Sequence, residues 1–480
     1  DIELEGGQVI ECDVIFSSDI PIKENELIVP LGVEMIEHPQ NKKKIVKTDP
    51  GGHTSVNGLY VLGDARTLFS TIPGAAYEGT GESRLELRVQ TVALVREGEM
   101  DSGVELCRSY GAITAMQTFL SAFDAVPDPR ASNARHDLGE LLVIAFVSVL
   151  CGSTSCAEMA AFGRAKESLF RGFLKLKHAI PSHDTFSEIF RIIDPKALDA
   201  AFGKVLADVA ALLKDGDVVA IDGKALRGAR DKDESARTRM MVSAYASRLR
   251  LTLATVTADR GTELDAAIEA LGLIALKGKV VTGDALHCNR RTVAAINAGG
   301  GDWCLALKGN QESLLSDARG CFSNLKDSHP VASSADTGHG RKETRTAVVV
   351  SAKALGKYHE FPGLKGFAKI DAIREIGGKV TSQSRYFALS WMPTPEVLLA
   401  TVRDHWAIEN ALHWQLDVSF REDAARNRKD NGPGNIAVLR RRALDVVRRD
   451  TSKGSLTIKL KRAGWDEAFL CRILNGLAET

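Results

Sequence analysis

The 480-residue chain has no run that reaches the roughly 18 apolar residues of a membrane-spanning helix. Its longest apolar stretch, 141–151, is broken by Ser148 and reads as a buried helix. No secretory signal opens the sequence. The eight cysteines show neither a CxxC pair nor Cys/His ligand spacing, which excludes a disulfide framework and a zinc module and points to reduced thiols in a cytoplasmic protein. GxGxxG is missing, and with it the helix-terminus cradle that a dinucleotide needs. HExxH is missing as well, so the four-residue spacing of His405, Glu409 and His413 is weak evidence for zinc. Net charge is also absent, with 62 Lys and Arg against 62 Asp and Glu.

That balance hides an asymmetry. Residues 1–100 carry 9 basic against 17 acidic residues, and the remaining 380 carry 53 against 45. An acidic piece is joined to a basic one, and only the basic one suits a polyanion. The chain begins with Asp1 and reads as a fragment or as the continuation of something upstream.

Residues 1–80 have short β-type runs broken by Gly and Pro, and 117–210 carry helical periodicity. Pro181-Ser182-His183-Asp184 is a helix-start signal with Ser182 as N-cap. After residue 216 the pattern turns to strands at 218–221, 251–257, 279–282 and 303–307. Alternation over 343–395, with a turn at Gly377-Gly378, predicts antiparallel strands, and from Pro395 the chain is helical again. A single helix is expected over 401–420.

Three acids stand out by position. Asp222 and Asp284 each follow a short buried strand, and Glu409 lies in the expected helix. Carboxylates at neighbouring strand tips can converge, and a helix across the sheet can add a third. Such a cluster repels itself unless cations occupy it, and hard oxygen donors suit Mg²⁺ or Mn²⁺. Two such ions can support in-line phosphoryl displacement. Against this, an isolated Asp after a strand is more often a turn residue than a ligand. Candidate DNA contacts are Lys308 and Gln311 in a strand-end loop, His405, and Arg441 and Arg448 on an amphipathic basic helix that could lie along phosphates.

From about Phe119 to Gly476 the sequence resembles the H-repeat-associated (ISAs-type) DDE insertion-sequence transposases. The likeness rests on blocks in one order: Asp128-Pro129-Arg130, Leu150-Cys151-Gly152, Ile180-Pro181-Ser182-His183-Asp184, Ile221-Asp222-Gly223-Lys224, Gly283-Asp284-Ala285, Ala306-Leu307-Lys308-Gly309-Asn310-Gln311, His339-Gly340-Arg341 and His405-Trp406-Ala407-Ile408-Glu409-Asn410. It implies an α/β, RNase H-like catalytic domain over 211–480 with a β-rich insertion at about 315–397, preceded by a helical domain over 117–210. It also implies Asp222, Asp284 and Glu409 as catalytic metal ligands, double-stranded DNA as partner and substrate, and a homo-oligomer on that DNA. The sequence departs from related signatures at Val402, His405 and Leu416, where Tyr, Arg and Lys are usual. A DNA-binding descendant without cleavage activity is the main alternative.

Residues 54–65, ending in Gly63-Asp64-Ala65, resemble the second FAD-contact segment of thioredoxin-reductase-like flavoproteins, with Ala75-Ala76-Tyr77-Glu78-Gly79 following. The likeness implies a truncated fragment over 1–95 and a junction over 96–116. Without the flavoprotein's first half, FAD is not expected to bind at Asp64, and a flavin-dependent disulfide oxidoreductase is the remote alternative.

Overall fold

The structure is a computed structural model. It describes residues 116–475 apart from 230–238, 259–261, 324, 326–327 and 339, together with short strands before residue 116. The chain divides into two compact units, 1–110 and 111–480. In the first, the described elements are short strands such as Val14–Ser17, Tyr60–Gly63 and Val92–Val95, which form a three-stranded antiparallel sheet. Asp64 and 75–79, the core of the flavoprotein likeness, lie outside the described residues.

The second unit begins with packed helices. Helix α1 (Leu138–Leu150) is buried almost throughout, as its unbroken apolar run requires, and Asp137 caps its first turn by accepting from the Glu140 N–H. Helix α2 (His183–Ile192) starts where the sequence signals it, with Ser182 Oγ accepting from the Thr185 N–H at 3.3 Å. Helix α3 (Pro195–Val205) follows at once, capped by Asp194.

A nine-stranded sheet forms the rest of the scaffold. Its strands are β1 (Val218–Ala225), β2 (Met240–Ala246), β3 (Leu251–Thr257), β4 (Val280–Gly283), β5 (Asp302–Leu307), β6 (Val331–Gly338), β7 (Arg341–Ser351), β8 (Gly366–Ile376) and β9 (Lys379–Leu389). They lie in the order β3-β2-β1-β4-β5-β9-β8-β7-β6. The first three form an antiparallel meander, while β4 is parallel to both β1 and β5. Val218 to Ile221 and all of β4 are buried, the signature of central strands covered on both faces.

The β-rich stretch does not make a sheet of its own. It extends the central one, because β9 pairs antiparallel with β5 (Cys304 opposite Leu389). The Gly377-Gly378 turn joins β8 to β9, and both glycines have positive φ, +55° and +79°, as a two-residue hairpin demands.

The C-terminal helical stretch differs from the continuous helix expected over 401–420. Helix α4 (Pro395–His405) is followed by a π-helical segment, Ile408–His413, then a short α-turn, Trp414–Val418. Widened turns of this kind insert a residue and re-aim the side chains that follow. Helix α5 (Gly432–Val447) lies entirely in the interior.

Candidate metal centre and nucleic-acid interface

Asp222 and Asp284 are brought together by register, Asp284 just past the end of β4 and Asp222 within β1, which runs on to Ala225 rather than ending at Ile221 as expected. Ile221 of β1 lies opposite Gly283 of parallel β4, so Asp222 and Asp284, one residue further on, emerge side by side at the same end of the sheet. Adjacent strands put such backbones about 4.8 Å apart. Burial holds the Asp222 carboxyl up at about 7, assisted by repulsion from Asp284, Glu409 and Glu263, while the Gly223 N–H opposes the shift. Glu409, in the first turn of the π-helical segment, is thus within electrostatic reach of Asp222. Asp222 and Asp284 lie side by side and Glu409 is close enough for Asp222 to feel its charge, whereas among the described residues the donor atoms that lie within 4.8 Å of one another belong to Asp222, Glu263 and His287.

Nearby acids are engaged otherwise. Lys224, on the same face of β1 as Asp222, ion-pairs with Asp417 at 2.8 Å and Asp423 at 3.0 Å. Buried Glu422 pairs with Arg441 at 2.8 Å. Glu409 is exposed, and no ion pair to it occurs among the described residues.

Two histidines brace the centre as neutral groups. His405 Nδ1 lies 3.0 Å from Thr282 Oγ1, in β4, and burial depresses its pKa to about 4. His413 Nδ1 stands 3.5 Å from Asp222 Oδ2, and burial takes its pKa to about 3. The expectation that His405 contacts DNA is corrected: the ring is turned inward onto a strand.

Two of the expected basic contacts are also corrected. Arg441 is 0% exposed and is held by Glu422 and by Ser243 Oγ at 3.1 Å, where no phosphate can reach it. Its neighbour Arg442 is equally buried and pairs with Asp199 of α3 at 2.7 Å. Arg448 donates to the Tyr245 hydroxyl at 3.0 Å and to the Ala411 carbonyl inside the π-helical segment. These arginines bracket the interior. Hydrophobic periodicity could not reveal this, because a buried paired arginine and a solvated one look alike in sequence.

Lys308 is exposed beyond β5. Gln311 spends its amide on the Cys288 carbonyl at 3.1 Å, and Asn310 donates to the Ala285 carbonyl at 2.6 Å. Both therefore clamp the loop that follows Asp284.

The sequence reading did not single out a groove between strands β6–β9 and helix α4. Arg341, Arg345, Arg374, Arg385 and Arg403 line it, and Trp406 and Asn410 lie at the end beside Glu409. Buried Glu343 holds Arg341, Arg345 and Arg374 at 3.1–3.3 Å. The Arg385 guanidinium stacks 4.7 Å from the Trp406 ring centre. The alternation of charged residues along these strands was the available signal, but only pairing shows that they share a face. Glu263 and His287 were also missed.

Comparison with known proteins places the chain among transposases. The transposase DDE domain family matches residues 213–444, and the DDE_Tnp_1-associated family matches 120–206. An "Uncharacterized protein in dhlA 3'region" of Xanthobacter autotrophicus is 36% identical over 283 residues, which is 57% of this chain and 94% of the relative. Two Escherichia coli proteins, "H repeat-associated putative transposase YhhI" (strain K12) and "Putative transposase YncI" (O157:H7), are 27% and 29% identical. They cover 75% and 76% of this chain and 98% and 96% of their own lengths. The scaffold is mixed α/β with a large central sheet, and the chain belongs to the transposase DDE domain family. It is an insertion-sequence transposase. Among the described residues no helix is long and apolar enough to cross a membrane.

Proposed function

We propose that residues 117–210 form a helical end-recognition domain and 211–480 an RNase H-like catalytic domain that cuts and joins double-stranded DNA, with Asp222, Asp284 and Glu409 as metal ligands. The observation that carries the reading is the in-register placement of Asp222 beside Asp284. The strand order β3-β2-β1-β4-β5, with a helix bringing a third acid across, supports the fold assignment.

The donor set fits hard divalent cations, Mg²⁺ or Mn²⁺. Burial, with repulsion from neighbouring carboxylates, raises the Asp222 pKa to about 7, as expected of acids gathered around a cation site. Bound there, such ions supply Lewis-acid activation of a hydroxyl and stabilisation of the leaving oxygen. The protein's own part is positioning. Thr282, His405 and Arg448 hold β4 and the π-helical segment in place, and Lys224 draws Asp417 away from the centre. Arg385, near enough to Glu409 to feel its charge, marks where the arginine groove meets the acids. That groove, with Lys308 at the strand end, suits a phosphate backbone better than the buried α5 arginines. A homo-oligomer on DNA and a cytoplasmic setting complete the proposal.

The family matches begin at residue 120. The reading of 1–95 as a flavoprotein remnant that does not bind FAD, and of 96–116 as a junction, therefore rests on sequence motifs alone.

Incubating the protein with candidate element-end DNA and Mg²⁺ tests this reading. Strand cleavage that EDTA abolishes is expected. DNA binding without cleavage in either metal would instead support a descendant that only binds.

A further inference from the structure

A second donor set adjoins the three acids. Glu263 opens the helix Glu263–Gly272, which Thr262 and Asp265 fix through a reciprocal capping box. Its carboxylate packs against Gly223, where any side chain would meet Glu263 Oε1 at 2.2 Å. On the other strand, Gly283 leaves room for His287, whose Cβ would lie 3.0 Å from a side chain there. The glycines that flank Asp222 and Asp284 thus admit one further ligand-type side chain each.

His287 is 0% exposed, and neither ring nitrogen has a hydrogen-bond partner. A buried imidazole with both nitrogens unsatisfied is costly and calls for an explanation. One carboxylate oxygen each from Asp222 and Glu263 and one His287 ring nitrogen all lie within 4.8 Å of one another. In an octahedral shell with bonds of about 2.1 Å, cis ligand atoms stand about 3 Å and trans ones about 4.2 Å apart, so an inward closure completes the set.

We infer that Glu263 and His287 join Asp222 to hold one of the divalent cations through a mixed oxygen and nitrogen donor set. This rests on the reading of Asp222 as a metal ligand and adds two residues to it. An imidazole donor favours a first-row transition ion over Mg²⁺, so this position should hold Mn²⁺ more tightly than Mg²⁺.

Pulsed electron paramagnetic resonance on the full chain loaded with Mn²⁺ tests the inference without needing DNA. The wild type should show ¹⁴N coupling to bound Mn²⁺. His287→Gln should lose that coupling and bind Mn²⁺ at least tenfold more weakly, the scale expected for a lost ligand-shell partner. Glu263→Gln should weaken Mn²⁺ similarly while keeping the nitrogen signal, with its circular dichroism unchanged. Bound Mn²⁺ without nitrogen coupling in the wild type overturns the inference and leaves the three-acid site standing. Coupling that persists in His287→Gln also overturns it, assigning the nitrogen to His413. A wild type that binds no Mn²⁺ removes the three-acid reading itself.

Discussion

Asp222 shows how one residue's surroundings set the conditions under which the centre works. Burial and three neighbouring carboxylates raise its pKa to about 7. The folded state therefore holds a proton that the unfolded state releases near 4, so this group makes the metal-free protein less stable as pH rises from about 4 to 7. A cation must displace that proton. Added Mg²⁺ or Mn²⁺ should thus raise the melting temperature clearly at pH 8 and little at pH 5.5, as scanning calorimetry would show. An equal shift at both values would mean that Asp222 is not a ligand. Gly223 offers a second test at this scale. Its replacement by Ala pushes the Glu263 carboxylate aside at an overpacking cost of about 1–3 kcal/mol, so Mn²⁺ affinity should fall in a calorimetric titration while the fold persists. Asp222 and Asp284 were legible in the sequence because each follows a short apolar run, although only Asp284 lies past its strand's end and β1 continues through Asp222 to Ala225. Glu263 and His287 were not, because their meaning depends on two glycines that make room for them in space.

At the scale of elements, helix α5 illustrates where pattern reading fails. Arg440, Arg441 and Arg442 read equally well as a solvated basic stripe. The structure seats all three inside, with Arg441 tying the helix to Glu422 and to Ser243 of β2, and Arg442 tying it to Asp199 of α3. Removing one partner of such a pair strands a buried charge, at a cost of about 3–5 kcal/mol. Arg441→Ala should therefore lower unfolding stability by that order in urea titrations. The groove arginines should matter less to stability. Arg341→Gln with Arg403→Gln leaves Glu343 paired with Arg345 and Arg374 and Asp336 paired with Arg345, so it should cost less than Arg441→Ala while flattening the salt dependence of DNA binding by about two in the log–log slope. An unchanged slope would take the groove out of the DNA interface. The strands themselves were largely legible, since 251–257 matches β3 and 303–307 lies within β5. The π-helical segment was not. Nothing in the side-chain periodicity of 401–420 distinguishes a widened turn from a regular one, and the Ala411 carbonyl within it accepts from Arg448, a partner that local sequence does not reveal.

For the whole molecule, the division at residues 110 and 111 and the family matches at 120–206 and 213–444 predict that folding and DNA binding do not need the acidic first unit. A chain starting at Met116, itself buried, should fold and bind DNA with affinity within a few-fold of the full chain by electrophoretic shift. Insolubility or lost binding would make the first unit integral. Within the catalytic unit, the central claim is that Glu409, rather than another acid of the C-terminal helical stretch, completes the site. Asp417 is the natural competitor, and its ion pair with Lys224 at 2.8 Å gives it a structural task instead. The most direct test compares Mg²⁺-dependent cleavage of element-end DNA by Glu409→Gln and Asp417→Asn. Glu409→Gln should abolish cleavage while DNA affinity stays within a few-fold, and Asp417→Asn should keep measurable cleavage, reduced on the order of 10–100-fold at most. An inactive Asp417→Asn beside an active Glu409→Gln would contradict the account.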